Sequence, residues 1–193
     1  MSKPSWIYAL VEDQRHKQLI YRFLDSAGHN SRQMTIEVSP SGQGSAEQWV
    51  RENFARQAGK CRVRNARAAT SMFVMLDADT KTVQERLEAL DDALKSAGQK
   101  PIDLNRDPIA RLIPKRNVET WILVLGLEPT APPADEEFDY KPTKSAEEWT
   151  ALVPTAATTL LAWMRPSATL HANLIDSLRR GIREIPRALP PGR

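Results

Sequence analysis

SMFVMLDADTKT, residues 71–82, joins five consecutive apolar side chains, Met72 to Leu76, to a polar turn and then to a helix start. An apolar run of this length closed by a turn reads as a strand buried on both faces, the kind found in parallel sheets. In open α/β sheets, ligand sites lie beyond the carboxyl ends of the strands. Asp77 and Asp79 stand at that end. If the chain turns at Asp79, the two carboxylates converge and repel each other unless a cation neutralises them. Oxygen ligands of this type suit Mg²⁺ or Mn²⁺. Aspartate at a strand end also has an ordinary reading as a turn residue.

Working back to the N-terminus, Ser5 to Val11 (SWIYALV) reads as a first buried strand. Glu12 and Asp13 follow, then a helix over Gln14 to Ala27, with Leu19, Ile20, Phe23 and Leu24 at helical spacing and Gly28 at its end. Asp13 suits a helix cap; Glu caps poorly, so Glu12 is the stronger candidate for chemistry. His16, in the first turn, reads as solvated. Met34 to Val38 alternates apolar and polar residues as a second strand, and 39–44 is a loop. Ser45 and Gln48 form a capping-box pattern that opens a helix to about Ala58. Arg51, Arg56, Lys60, Arg62, Arg64 and Arg67 make this the most basic part of the chain, either a solvated face or a phosphate-contacting patch beside the site.

Working forward, Thr82 and Glu85 form a second capping box, opening a helix to about Ala97. Ile109 to Ile113 is a fourth strand, closed by Pro114 to Asn117. Asn117 is placed to cap an apolar helix, Val118 to Leu125. The composition then changes: Pro129, Pro132, Pro133 and Pro142 mark a linker or surface excursion. Ala146 to Met164 reads as a helical hairpin interrupted at Pro154, and Leu170 to Ile185 as an amphipathic helix. Three parts follow: an α/β domain over 1–127, the Pro-rich segment 128–145, and a helical C-terminal appendage over 146–193. Strand–helix alternation across 5–125 predicts a mainly parallel four-stranded sheet flanked by helices.

Bulk properties narrow the class. The 193 residues carry a net charge of +3, with 41% hydrophobic and 26% charged residues, ordinary for a globular protein. Mild basicity is compatible with an anionic partner. The single cysteine, Cys61, excludes an intrachain disulfide and a Cys-cluster zinc site, so a reducing cytoplasm is the expected compartment. No run of about 18 apolar residues predicts a membrane span. No signal-peptide pattern opens the sequence. Three histidines (16, 29 and 171) and one cysteine lie in no setting that supports a nucleophile triad.

The order Leu10-Val11-Glu12-Asp13, then Asp77-Ala78-Asp79, each after a hydrophobic strand, resembles the Toprim domain of topoisomerases, primases and OLD-type nucleases. The segment 114–122, PKRNVETWI, is similar to a basic-Asn-x-Glu stretch in Toprim-like bacterial proteins of the OLD and RloB type. The resemblance covers roughly residues 5–125. Two departures stand out: Asp13 replaces the glycine usual after the motif Glu, and the usual Asp inside the first helix has no clear counterpart. The resemblance implies a Toprim-like, Rossmann-like fold and a metal site of Glu12, Asp77 and Asp79, with Asn117 and Glu119 near it. It also implies a place in anti-phage defence beside a separate ATPase subunit. The chain has no GxxxxGK[ST] loop of its own.

The expected activity is therefore divalent-metal-dependent hydrolysis of a DNA or RNA phosphodiester. Asp77 and Asp79 hold Mg²⁺ or Mn²⁺, Glu12 serves as ligand or general acid/base, and Glu119 supports a second ion. Lys115 and Arg116 neutralise charge on the phosphate. Arg62, Arg64 and Arg67 contact nucleic acid, and Asp13 and Asn117 support the site. The alternative is a non-catalytic binding or regulatory subunit docking on an ATPase. A phosphatase or nucleotidyl-transfer enzyme built on the same acidic cluster is a third class. Self-association is left open.

Overall fold

The computed structural model describes residues 6–40, 42, 45–127, 134–165, 168, 170 and 174–189. Four strands, β1 (Trp6–Val11), β2 (Met34–Val38), β3 (Thr70–Met75) and β4 (Ile109–Leu112), form one sheet in the order β2-β1-β3-β4. Every neighbouring pair is parallel, as the uninterrupted apolar runs predict. The helices are α1 (Gln14–Ser26), α2 (Ala46–Asn65), α3 (Val83–Ser96), α4 (Val118–Gly126), α5 (Ala146–Trp163) and α6 (Asp176–Ala188).

Period-two alternation divides the strands between two cores. Ile7, Ala9, Val11, Phe73, Met75, Ala110 and Leu112 join the core formed with α1, α4, α5 and α6. Leu10, Met72, Val74, Ile109 and Ile113 join the core formed with α2 and α3. The C-terminal helical part completes the cover of the first face: α5 lies on α1 and α4, and α6 lies on β4.

Chain direction follows from the handedness rule. The connection from β1 to β2 carries α1 on one face. The chain then crosses back over β1 to β3 and on to β4, with α2 and α3 on the other face. Strand order thus reverses between β1 and β3, and their carboxyl ends flank a topological switch point.

Local signals account for most boundaries. Asp13 caps α1, accepting hydrogen bonds from the amides of Arg15 and His16. Thr82 and Glu85 form the complete capping box at α3, and Asn117 caps α4 through the Thr120 amide. At α2 only half the box forms: Ser45 accepts from the Gln48 amide, while the Gln48 side chain donates to Glu52 instead.

Three expectations are corrected. α2 runs seven residues past Ala58, through Gly59, because Gln99 packs against that glycine and Cys61 is buried beyond it. α5 is one continuous helix through Pro154 rather than a hairpin. Trp149, Val153, Ala156, Ala157 and Leu160 bury a single stripe on both sides of the proline. That burial outweighs the roughly 3 kcal/mol an interior proline costs. α6 starts at Asp176, not Leu170; Leu174 and Ile175 are buried before it, Ile175 in an extended conformation, and positions 171–173 of the expected helix lie outside the described residues. Among the described residues, no helix is long and apolar enough to cross a membrane.

Candidate metal centre

The switch point between β1 and β3 gathers the acidic residues. The parallel register pairs Val11 with Met75, and the Glu12 amide donates to Met75 O at 3.1 Å. Glu12 and Asp77 therefore leave adjacent central strands at the same height. Glu12 Oε2 accepts a hydrogen bond from the Asp77 amide at 2.8 Å. His16 completes the group: its Nε2 lies 3.0 Å from Asp77 Oδ1 and its Nδ1 2.8 Å from Asp13 Oδ1. One ligand atom each from Glu12, His16 and Asp77 lies within 4.8 Å of the others, a set able to hold a metal ion. Carboxylate and imidazole donors both belong to the divalent-metal repertoire, so the residues present fit such an ion.

His16 is not solvated, as its place in the first turn of α1 suggested, but fully buried. The signal was present in the sequence. His16 stands three, four and seven residues before Leu19, Ile20 and Phe23, on the inward stripe of α1. An imidazole on that stripe needs polar partners, and only the folded chain brings Asp77 to it.

Asp79 does not join this set. It alone among the described non-glycine residues has a positive φ, 56°, a conformation aspartate tolerates better than most residues. The turn leaves its side chain 54% exposed, with Oδ2 at 3.6 Å from Arg86 Nη2. Arg86, buried on the inner face of α3, also donates to Asp77 O at 3.1 Å and pairs with Glu47 at 2.7 Å. Arg86 thus ties down the turn that presents Asp77. It too was legible as an inward position, between Val83 and Leu90.

Glu119, in the first turn of α4, is buried, and Arg15 Nε lies 3.8 Å from its Oε1. Asn117 donates to Asp139 at 2.7 Å in addition to capping α4. Lys115 is engaged by Glu137 at 2.7 Å, and Arg116 is half-buried at the turn into α4. Lys141, which the sequence did not single out, reaches Asp13 Oδ2 at 3.7 Å. Its backbone is held from both sides: its amide donates to Asp139, and its carbonyl accepts from Trp149 Nε1.

Arg62, Arg64 and Arg67 do not lie beside the site. They stand at the end of α2 and in the turn that enters β3, at the amino edge of a parallel sheet. A six-residue strand, about 20 Å long, separates that edge from Glu12 and Asp77. Arg62 is used structurally there: it donates to Asp107, Lys100 O and Pro101 O, with its closest contact 2.6 Å to Asp107 Oδ2. Arg64 and Arg67 are exposed.

Electrostatics follow from burial and crowding. Burial, then the nearby Asp77 charge, pushes the Glu12 carboxyl up to about 7. Burial also raises Asp77, against the pull of His16. Burial works against the charged imidazole of His16, but Asp77 and Asp13 together hold its affinity for the proton well above the ordinary value. Burial opposes ionisation of Asp13, yet His16 holds it below the usual carboxylate range. Burial raises Glu119, helped by Asp77.

No family model matches the chain, and neither a curated protein nor a solved structure matches it.

Proposed function

We propose that the protein is a divalent-metal-dependent nuclease of Toprim-like type that hydrolyses a DNA or RNA phosphodiester. One observation carries the reading: Glu12 and Asp77, from separate strands, meet at the switch point of a parallel sheet, hydrogen-bonded at 2.8 Å. Glu12, Asp77 and His16 would hold the ion, with Asp79 and Glu119 close enough to add negative charge around it. A bound divalent cation would polarise a phosphoryl oxygen and activate water at neutral pH. Mg²⁺ and Mn²⁺ are the ions expected from the carboxylates. As the alternative to ligation, Glu12 would accept or return a proton at its carboxylate during attack and departure. Lys141, Lys115 and Arg116 lie on the same edge and offer positive charge to the phosphate.

The resemblance to OLD and RloB-type proteins extends the proposal to an effector of anti-phage defence acting with a separate ATPase subunit. The test is nicking of plasmid DNA and of single-stranded RNA with added Mg²⁺ or Mn²⁺. Glu12→Gln and Asp77→Asn, each with wild-type circular dichroism, are expected to lose at least about 100-fold in rate. Metal-independent cleavage, or cleavage retained in both variants, overturns the proposal.

A second reading, a regulatory subunit without catalysis, draws on the His16–Asp77 ion pair and the Asp79–Arg86 contact, which neutralise the cluster internally. Under it, both variants match wild type in every assay of the assembled system.

A further inference from the structure

We propose that His16 Nε2 is the nitrogen ligand of a Glu12–His16–Asp77 centre, and that this centre takes a first-row transition ion in preference to Mg²⁺. The proposal rests on the metal-centre reading above and adds which nitrogen of His16 ligates and the class of ion.

The geometry around the imidazole carries it. His16 is fully buried, so both ring nitrogens must be satisfied from within the protein. Nδ1 faces Asp13 Oδ1 at 2.8 Å. Asp13 is itself immobilised as the cap of α1 by the amides of Arg15 and His16. A carboxylate held this way fixes the ring orientation and the tautomer and raises the basicity of the other nitrogen. That other nitrogen, Nε2, lies 3.0 Å from Asp77 Oδ1, and His16 is grouped with Glu12 and Asp77. A metal-bound histidine is oriented in the same manner, by a carboxylate on its far nitrogen. An ion taking Nε2 replaces the proton there, while the Nδ1–H bond to Asp13 stays in place.

Glu119 adds a further buried carboxylate beside the centre. Its side chain is 4% exposed, its ion pair with Arg15 is a long 3.8 Å, and its carboxylate interacts with the charges of Asp77, Lys141 and Asp13.

The donor set then selects among ions. Mg²⁺ demands near-ideal octahedral oxygen coordination and sheds water reluctantly. One imidazole among carboxylates favours the transition series, whose affinity for such sites rises from Mn²⁺ toward Co²⁺ and Ni²⁺.

The test uses the full-length, metal-free protein. Loaded with Mn²⁺, it is expected to show nitrogen modulation of the electron spin echo, and His16→Gln is expected to lose it. Calorimetric titration should show Co²⁺ binding more tightly than Mg²⁺. In His16→Gln, Co²⁺ affinity should fall roughly 10- to 100-fold, while Mg²⁺ affinity should not fall, because the imidazolium that pairs with Asp77 is gone. Asp13→Asn keeps a good helix cap, carries the test if His16→Gln does not fold, and should weaken Co²⁺ about tenfold. Mn²⁺ bound without nitrogen coupling, or an unchanged Co²⁺ preference in His16→Gln, overturns His16 as ligand and leaves a Glu12–Asp77 centre standing. Failure of every ion to bind at millimolar concentration overturns the centre itself.

Discussion

Glu12 Oε2 accepts a hydrogen bond from the backbone amide of Asp77 at 2.8 Å, so a carboxylate at the end of one central strand is fastened to the turn that leaves its neighbour. The bond fixes the position of Glu12 but does not offset its burial, which raises its pKa from 4.5 to about 7. The folded state therefore binds the Glu12 proton more tightly than the unfolded chain does. The sign follows: Glu12 weakens the metal-free protein increasingly as pH rises from 4.5 to 7, with the full effect above 7. The corresponding free energy is at most about 3 kcal/mol. Urea unfolding of metal-free Glu12→Gln, which can still accept the Asp77 amide, should match wild type near pH 4 and exceed it near pH 8. Equal stability of the two at pH 8 would contradict the assignment.

His16 is the counter-charge for Asp77 in the metal-free protein, at 3.0 Å and out of contact with water. Removing it leaves a buried carboxylate unpaired. His16→Ala should lose about 3–5 kcal/mol in denaturant unfolding at pH 7. The loss should be smaller at pH 4, where an unpaired Asp77 can protonate. A pH-independent loss would point to lost packing alone.

The contacts of Arg62 to Asp107, Lys100 O and Pro101 O tie the end of α2 to the segment entering β4. Arg62→Ala should cost about 2–3 kcal/mol, as expected for losing hydrogen bonds between charged groups. It should leave metal affinity at the opposite edge unchanged. Arg64→Ala and Arg67→Ala, both exposed, should stay within about 0.5 kcal/mol of wild type. A change in metal affinity in Arg62→Ala would refute the separation of the two edges.

Gly181 lets α6 approach Trp121, whose ring atoms would meet a Cβ at that position at less than contact distance. Trp121 is fully buried, and its Nε1 donates to Ser177 at 2.9 Å, so it has little room to move. Gly181→Ala should lower stability by about 1–3 kcal/mol despite alanine's better helix propensity. A thermal melt at or above the wild-type midpoint would show that α6 shifts without cost.

The sequence by itself determined the parallel α/β architecture. Five apolar residues in a row before Asp77, the alternation of strands with capped helices, and the caps at Asp13, Thr82 and Asn117 are local signals, and local hydrogen bonding and burial enforce them. The convergence of Glu12 with Asp77 was legible for the same reason, since parallel strands deliver their carboxyl ends to one edge. The tertiary structure alone decided which side chains share the centre. His16 rather than Asp79 stands with Glu12 and Asp77, because α1 turns its inward stripe onto the switch point while the left-handed turn at Asp79 carries that carboxylate to Arg86. Helix continuity at Gly59 and Pro154, and the removal of Arg62 from the site, depend in turn on packing partners distant in the chain: Gln99 for Gly59, α1 and α4 for α5, and Asp107 for Arg62. No local propensity encodes them.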